Sequence, residues 1–262
     1  MKLSSILGII CALTVFIAAL VTSSPSMQVF LDPHGILIVI GGTAAARLIC
    51  FPLRTFLTMG SVFFRKIIGS TPNAQQAIDE LIGLAKGNRD DPKFLSAQVT
   101  KIKNPFLREA IELVVQWGFK DSVLDTILRK RAITQAKKYE EDAEVFMTIS
   151  KFPPAFGLMG TTLGMIALLQ KLGAPDSFKQ LGPAMAIGLV ATLYGIVLAN
   201  FVFIPLGEHL LKLNKADEII REIVIDGVKL LRAKEHPLVV DEHLKSYLLP
   251  SERRKSSLKA AA

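Results

Sequence analysis

The chain has 262 residues, half of them hydrophobic, with a mean hydropathy of +0.41 and a formal net charge of +8. A soluble domain of this length rarely carries so much apolar surface, so composition points first to a membrane protein. The charge implies no nucleic-acid partner: residues 53–151 hold 16 bases against 12 acids, and residues 207–262 hold 11 against 9, which makes mixed-charge faces and not a basic stripe.

About 20 apolar residues cross a bilayer core as a helix, and four stretches reach that length. The first, Leu3 to Val21, carries no charge. A secretory signal is the alternative, with Lys2 as its charged start, but the apolar run is long for a signal core and no clear Ala-x-Ala site follows. The second, Pro33 to Pro52, has Asp32 and His34 at one mouth and Arg47 near the other, where it can snorkel. Cys11 and Cys50 both fall in these spans, and two cysteines make neither a disulfide framework nor a metal set.

Residues 53–148 read as a helical domain, since a structureless loop of that length is improbable. Thr71-Pro72 starts a helix over Ala74 to Lys86, and Gly87-Asn88 stops it. Leu107, Ile111, Val114 and Val115 share one helical face. Asp121 to Ser150 has no Gly or Pro and is expected to run unbroken into the third span, Ile149 to Leu169. The fourth span, Pro183 to Leu206, is expected to continue as a helix over Glu208 to Glu235, until His236-Pro237. Ser251 to Ala262 is expected to be disordered. The fold class is therefore an all-α membrane protein. Four transmembrane helices (residues 1–52 and 149–206) accompany a helical cytoplasmic domain (53–148) and a C-terminal helix and tail (207–262). Spans three and four extend as long helices into the cytoplasm.

Orientation follows from the basic residues. With four spans, only Lys171 and Lys179 of the 31 Lys and Arg lie on the outer side, so the positive-inside rule places both termini in the cytoplasm. The outer loops are then Thr22 to Asp32 and Lys171 to Gly182.

Spans three and four lack any acidic or basic residue from Phe152 to Leu169 and from Leu181 to Leu206. A proton relay built on a buried carboxylate is excluded within this chain, so either it moves no ion or a partner supplies the carboxylate. Ala184, Gly188, Thr192, Gly195 and Ala199 share one face of span four, at i, i+4, i+8, i+11 and i+15. Gly157, Gly160 (or Thr161) and Gly164 share one face of span three. Small faces let helices approach closely, within one subunit or against a partner. Thr161 and Thr192 on those faces can bond a partner carboxylate or coordinate a partly dehydrated cation; alternatively each bonds its own i−4 carbonyl. Pro154 and Pro205, at matched depth near the cytoplasmic ends of the two spans, read as a hinge.

These residues resemble the MotA family of flagellar motor stator subunits, within the MotA/TolQ/ExbB group. Pro154-Ala155-Phe156-Gly157 with Gly160-Thr161 resembles the start of that family's third span. Leu181-Gly182-Pro183-Ala184-Met185-Ala186, Ala191-Thr192-Leu193-Tyr194-Gly195, Ala199-Asn200 and Pro205 resemble its fourth. Asp32-Pro33, Ile38-Val39 and Gly41-Gly42-Thr43 resemble the start of its second. The order of segments matches over most of the chain. The resemblance implies a homo-oligomeric ring, a pentamer, in the bacterial inner membrane. The ring would surround a MotB-type partner carrying the ion-binding aspartate, and the cytoplasmic loop would push on the flagellar rotor switch protein. It implies no enzyme activity and no cofactor beyond the transported Na+ or H+. Pro154 and Pro205 match the family's two functional prolines. Thr161 and Thr192 match positions where sodium-driven members carry hydroxyls, so sodium is favoured over protons.

The rotor-facing region departs from the family pattern. Sodium-type relatives place bases first and acids later, whereas here Asp90 and Asp91 precede Lys101 and Lys103, with Arg89 and Lys93 nearby. The alternative function is an ExbB/TolQ-like, ion-driven energiser of another cell-envelope apparatus.

Overall fold

The computed structural model describes residues 2–23, 26–52, 73–90, 94–171 and 177–253, and these are helical apart from short turns. Among the described residues, three helical stretches are long and apolar enough to cross a membrane, Met27–Cys50, Asp121–Gln170 and Met185–Arg232, and Ile10–Ser23 is a shorter apolar helix. The chain divides into two compact units, residues 1–71 with 140–211 and residues 72–139 with 212–262.

In the first unit, α1 (Lys2–Ser23) is followed by a 3-10 turn over Met27–Phe30. The second helix, α2, runs through Pro33–Ile36, a π turn at Leu37–Gly41, and Gly42–Cys50. Asp32 starts it as N-cap: its carboxylate accepts from the backbone N–H of His34 at 3.3 Å and of Gly35 at 2.7 Å, supplying partners that a helix start otherwise lacks. Arg47 does not snorkel outward. It is buried, as is Thr43 one turn earlier on the same face. Cys11 and Cys50 are free thiols.

The pair at the centre of this unit is α7 (Phe152–Lys171) and α8 (Ser177–Val197). The helix preceding it, α6 (Asp121–Ile149), does not continue unbroken into α7: Ser150 and Lys151 form a turn. Pro153 and Pro154 explain the break. Neither has an N–H to donate backwards, and the first turn of a helix is where that deficit costs least. The α8 helix begins six residues before the expected span, shortening the anticipated outer loop. It passes through a π turn at Leu198–Phe203 into α9 (Ile204–Arg232). Pro205 lies just beyond that turn, where the interrupted ladder accommodates the missing donor and the proline ring.

The second unit contains α3 (Ala74–Asp90), α4 (Phe94–Gln98), α5 (Pro105–Trp117), most of α6 and α9, and α10 (Pro237–Lys245). Its core is built from Ile78, Leu81, Leu107, Ile111, Leu128, Ile223, Val228 and Leu244, each 2% exposed or less. Asn73 caps α3, accepting from Gln75 N–H at 3.0 Å. The helix then passes through Gly87-Asn88 instead of stopping there. The Phe94 ring packs on Gly87, and Asn88 donates to the Leu231 carbonyl at 3.0 Å, so tertiary contact overrides two weak helix formers. On α5, Leu107 and Ile111 are buried as expected. Val114 is half-buried and Val115 exposed; the buried face continues instead through Phe106, Ala110 and Leu113. Ser251–Arg253, expected to be disordered, are helical; residues 254–262 lie outside the described set.

Candidate functional site

The seam between α7 and α8 is set by glycines. A Cβ on Gly157 would lie 2.9 Å from Thr192 Cα, and one on Gly188 would lie 3.1 Å from Thr161 Cα. Each threonine backbone thus sits where the opposite glycine has no side chain. Gly160 meets Ala191 Cβ, and Gly195 meets the backbone of Pro153 and Pro154. This reciprocal fit brings the two hydroxyls together, with Thr161 Oγ1 and Thr192 Oγ1 2.5 Å apart. Thr161 Oγ1 is also 2.8 Å from the Gly188 carbonyl and 3.2 Å from its own i−4 carbonyl, Gly157. Thr192 Oγ1 is 3.2 Å from the Gly157 carbonyl and 3.5 Å from its own i−4 carbonyl, Gly188.

Four oxygens therefore converge, two hydroxyl and two carbonyl, with only two hydroxyl protons among them. Once one hydroxyl donates to the other, lone pairs remain in excess. The cluster is half-buried and no acidic or basic side chain lies on either span beside it. Such a group suits an electron-poor visitor: a hard cation, or the proton of a carboxylic acid. Thr162, one residue from Thr161, is exposed and bonds only the carbonyls of Leu158 and Met159 on its own helix.

The remaining sequence-designated residues are placed as follows. Gly164 is half-buried further along α7, and Ala199 is buried in the π turn after α8. Pro154 is half-buried beside Gly195, and Pro205 is exposed. Arg89 and Asp90 end α3, their side chains outside the described set, as are Asp91 and Lys93 altogether. Lys101 and Lys103 are exposed.

One site residue escaped the sequence reading. The Tyr194 hydroxyl donates to the Phe30 carbonyl and accepts from the Asp32 backbone N–H at 3.0 Å. It ties the turn before α2 to α8, two residues from Thr192. Its signal was a lone tyrosine on an otherwise apolar span, where a hydroxyl needs a fixed partner.

Helices of membrane-spanning composition, joined through glycines around a proton-poor oxygen cluster, define a helical membrane protein with a tightly packed polar seam. The sequence matches the MotA/TolQ/ExbB proton channel family over residues 98–246. It is 30% identical over 253 residues to chemotaxis protein PomA of Vibrio alginolyticus, spanning 97% of this chain and 98% of that protein. It is 27% identical to motility protein A of Bacillus subtilis (strain 168), spanning 97% and 94%. Its fold superposes on the flagellar MotAB stator complex from Bacillus subtilis with a TM-score of 0.85, at 25% identity over 96% of this chain and 98% of that one. Against MotAB of C. jejuni the TM-score is 0.84, at 22% identity over 95% and 97%. The chain belongs to the MotA/TolQ/ExbB family, as a flagellar motor stator subunit of the MotA type. That family comprises membrane ion channels rather than enzymes.

Proposed function

We propose that this chain forms the ring component of a sodium-driven stator, coupling ion flow along an interface with a MotB-type partner to torque on the flagellar rotor switch protein. The chain would cross the bacterial inner membrane four times with both termini in the cytoplasm, as a pentamer around the partner, with no cofactor besides the transported ion. The observation that carries this reading is the oxygen cluster of Thr161, Thr192 and the Gly157 and Gly188 carbonyls. A sodium ion leaving water exchanges its hydration oxygens for protein oxygens. This cluster offers neutral oxygens, and the partner's aspartate would supply the negative charge that the spans lack. Each hydroxyl can rotate its proton onto that carboxylate and free a lone pair for the ion. Gly160, Gly164, Gly188, Gly195 and Ala199 would let the partner helix approach or hold the seam in register. Pro154 and Pro205 would act as the hinge that passes movement onward. Arg89, Asp90, Asp91, Lys93, Lys101 and Lys103 would face the rotor, with a charge order that asks for a complementary order on the rotor. Exposed pairs contribute roughly 0–1 kcal/mol each, so such an exchange is tolerable.

The matches to PomA and motility protein A each extend over 97% of the chain, which supports a stator over an energiser of another apparatus. The test compares Thr192→Ala with Thr162→Ala in cells that depend on this stator. Thr192→Ala should slow swimming sharply at unchanged membrane level, and Thr162→Ala should not. Equal tolerance would mean that the seam only packs.

A further inference from the structure

The first unit carries a half-open apolar pocket of about 400 Å³ between α1, α2 and the α8 stretch that continues through its π turn. Phe16 and Leu20, four apart on α1, form one wall; Ile36 and Val39 form the second; Leu193 and Val197 form the third. An apolar pocket of this size disfavours water and takes an apolar occupant.

Two observations separate it from loose packing. Both π turns among the described residues border it: Val39 and Ile40 from Leu37–Gly41, Leu198 and Val202 from Leu198–Phe203. Such turns widen a helix locally and recur at functional sites. The one polar side chain in the wall, Tyr194, directs its hydroxyl to the Phe30 carbonyl and the Asp32 N–H, so its ring alone faces the space.

Dimensions select the occupant. From Leu193 to Val202 the α8 wall is nine residues, about 13 Å of helix rise. A volume of 400 Å³ over that length averages roughly 30 Å² in section, against roughly 80 Å² for a helix about 10 Å across. A partner span or a span of a second copy is too thick. A single hydrocarbon chain fits: taking a methylene as about the size of a water, roughly 30 Å³, the space takes about a dozen.

We propose that this cavity binds one acyl chain of a membrane phospholipid, which seats α1 against α2 and α8. A chain moving from the bilayer gains no hydrophobic free energy, so its retention rests on dispersion contacts with the surrounding walls. Those contacts also bridge α1, whose aromatic link to the fourth span is Phe16 on Phe201, with ring centroids 6.0 Å apart.

The test uses the full chain extracted in mild detergent, washed extensively, then analysed for lipid by solvent extraction and mass spectrometry. Wild type should retain a phospholipid for each chain. Val39→Phe and Val197→Phe, which fill the cavity, should retain about tenfold less at unchanged helicity and elution volume. If one variant fails to fold, stripped wild type remains informative: added phospholipid should raise its melting temperature and leave that of the folded variant unmoved. Absence of retained lipid in wild type, equal retention in the filled variants, a non-phospholipid molecule in its place, or equal lipid stabilisation of all proteins would overturn the proposal.

Discussion

Replacing Gly157 with alanine tests the seam that organises the site. The new Cβ would sit 2.9 Å from Thr192 Cα and 3.0 Å from the Ala191 carbonyl oxygen. Carbon pairs rest at about 3.5–4.0 Å, so the helices must part by roughly 0.6–1.1 Å. Both obstructing atoms are backbone, so no rotamer change relieves the contact. The 3.2 Å bond from Thr192 to the Gly157 carbonyl would stretch beyond hydrogen-bonding range. Overpacking costs about 1–3 kcal/mol and an interhelical bond in a membrane contributes about 0.6 kcal/mol. The gain in helix propensity from glycine to alanine offsets about 1 kcal/mol. The net expectation is a loss of about 0.6–2.6 kcal/mol. Gly83 is the control, because its Cβ would meet nothing within 4 Å, and Gly83→Ala should stabilise by about 1 kcal/mol. Unfolding of the full chain titrated with a denaturing detergent measures both. Thr192→Ser should not rescue Gly157→Ala, since the clash is with the main chain. Gly157→Ala as stable as Gly83→Ala would refute the close approach.

Two further outcomes concern the second unit. Arg221 is 1% exposed and is held by Asn214 at 3.0 Å and Asp217 at 3.6 Å; Arg221→Ala should cost about 3–5 kcal/mol by leaving that buried polar set without its cation, while Arg221→Met, which restores the volume, should cost less in the same chemical denaturation assay. Tyr247 has its pKa pushed up to about 12, by burial first and then by its hydrogen bond to Asp226. A raised folded-state value gives stability that is complete below the unfolded value near 10 and is lost as pH rises through about 12. Thermal melts of wild type should fall across that alkaline window more steeply than those of Tyr247→Phe.

The apolar runs and the absence of charge in spans three and four made the membrane helices legible, and spacing alone put Thr161 and Thr192 on the small faces. What spacing could not supply was the register between the two helices. That register, fixed by glycine against threonine backbone, is why each hydroxyl reaches the other helix's glycine carbonyl as well as its own. The same limit hid Tyr194, whose partners Phe30 and Asp32 lie more than 160 residues away. Local signals misled where tertiary contact intervened: Gly87 did not end α3 because Phe94 packs on it, and Arg47 is buried instead of reaching outward. Pro153-Pro154 carried the break at Ser150-Lys151 in plain view, but the preceding charged stretch offered no Gly or Pro of its own to announce it.

The most direct measurement of sodium coupling is swimming speed against external sodium at constant pH, in cells whose sole stator contains this chain and its MotB-type partner. Speed should rise with sodium and withstand a protonophore. Speed indifferent to sodium and abolished by the protonophore would contradict a sodium-coupled role for the Thr161–Thr192 cluster.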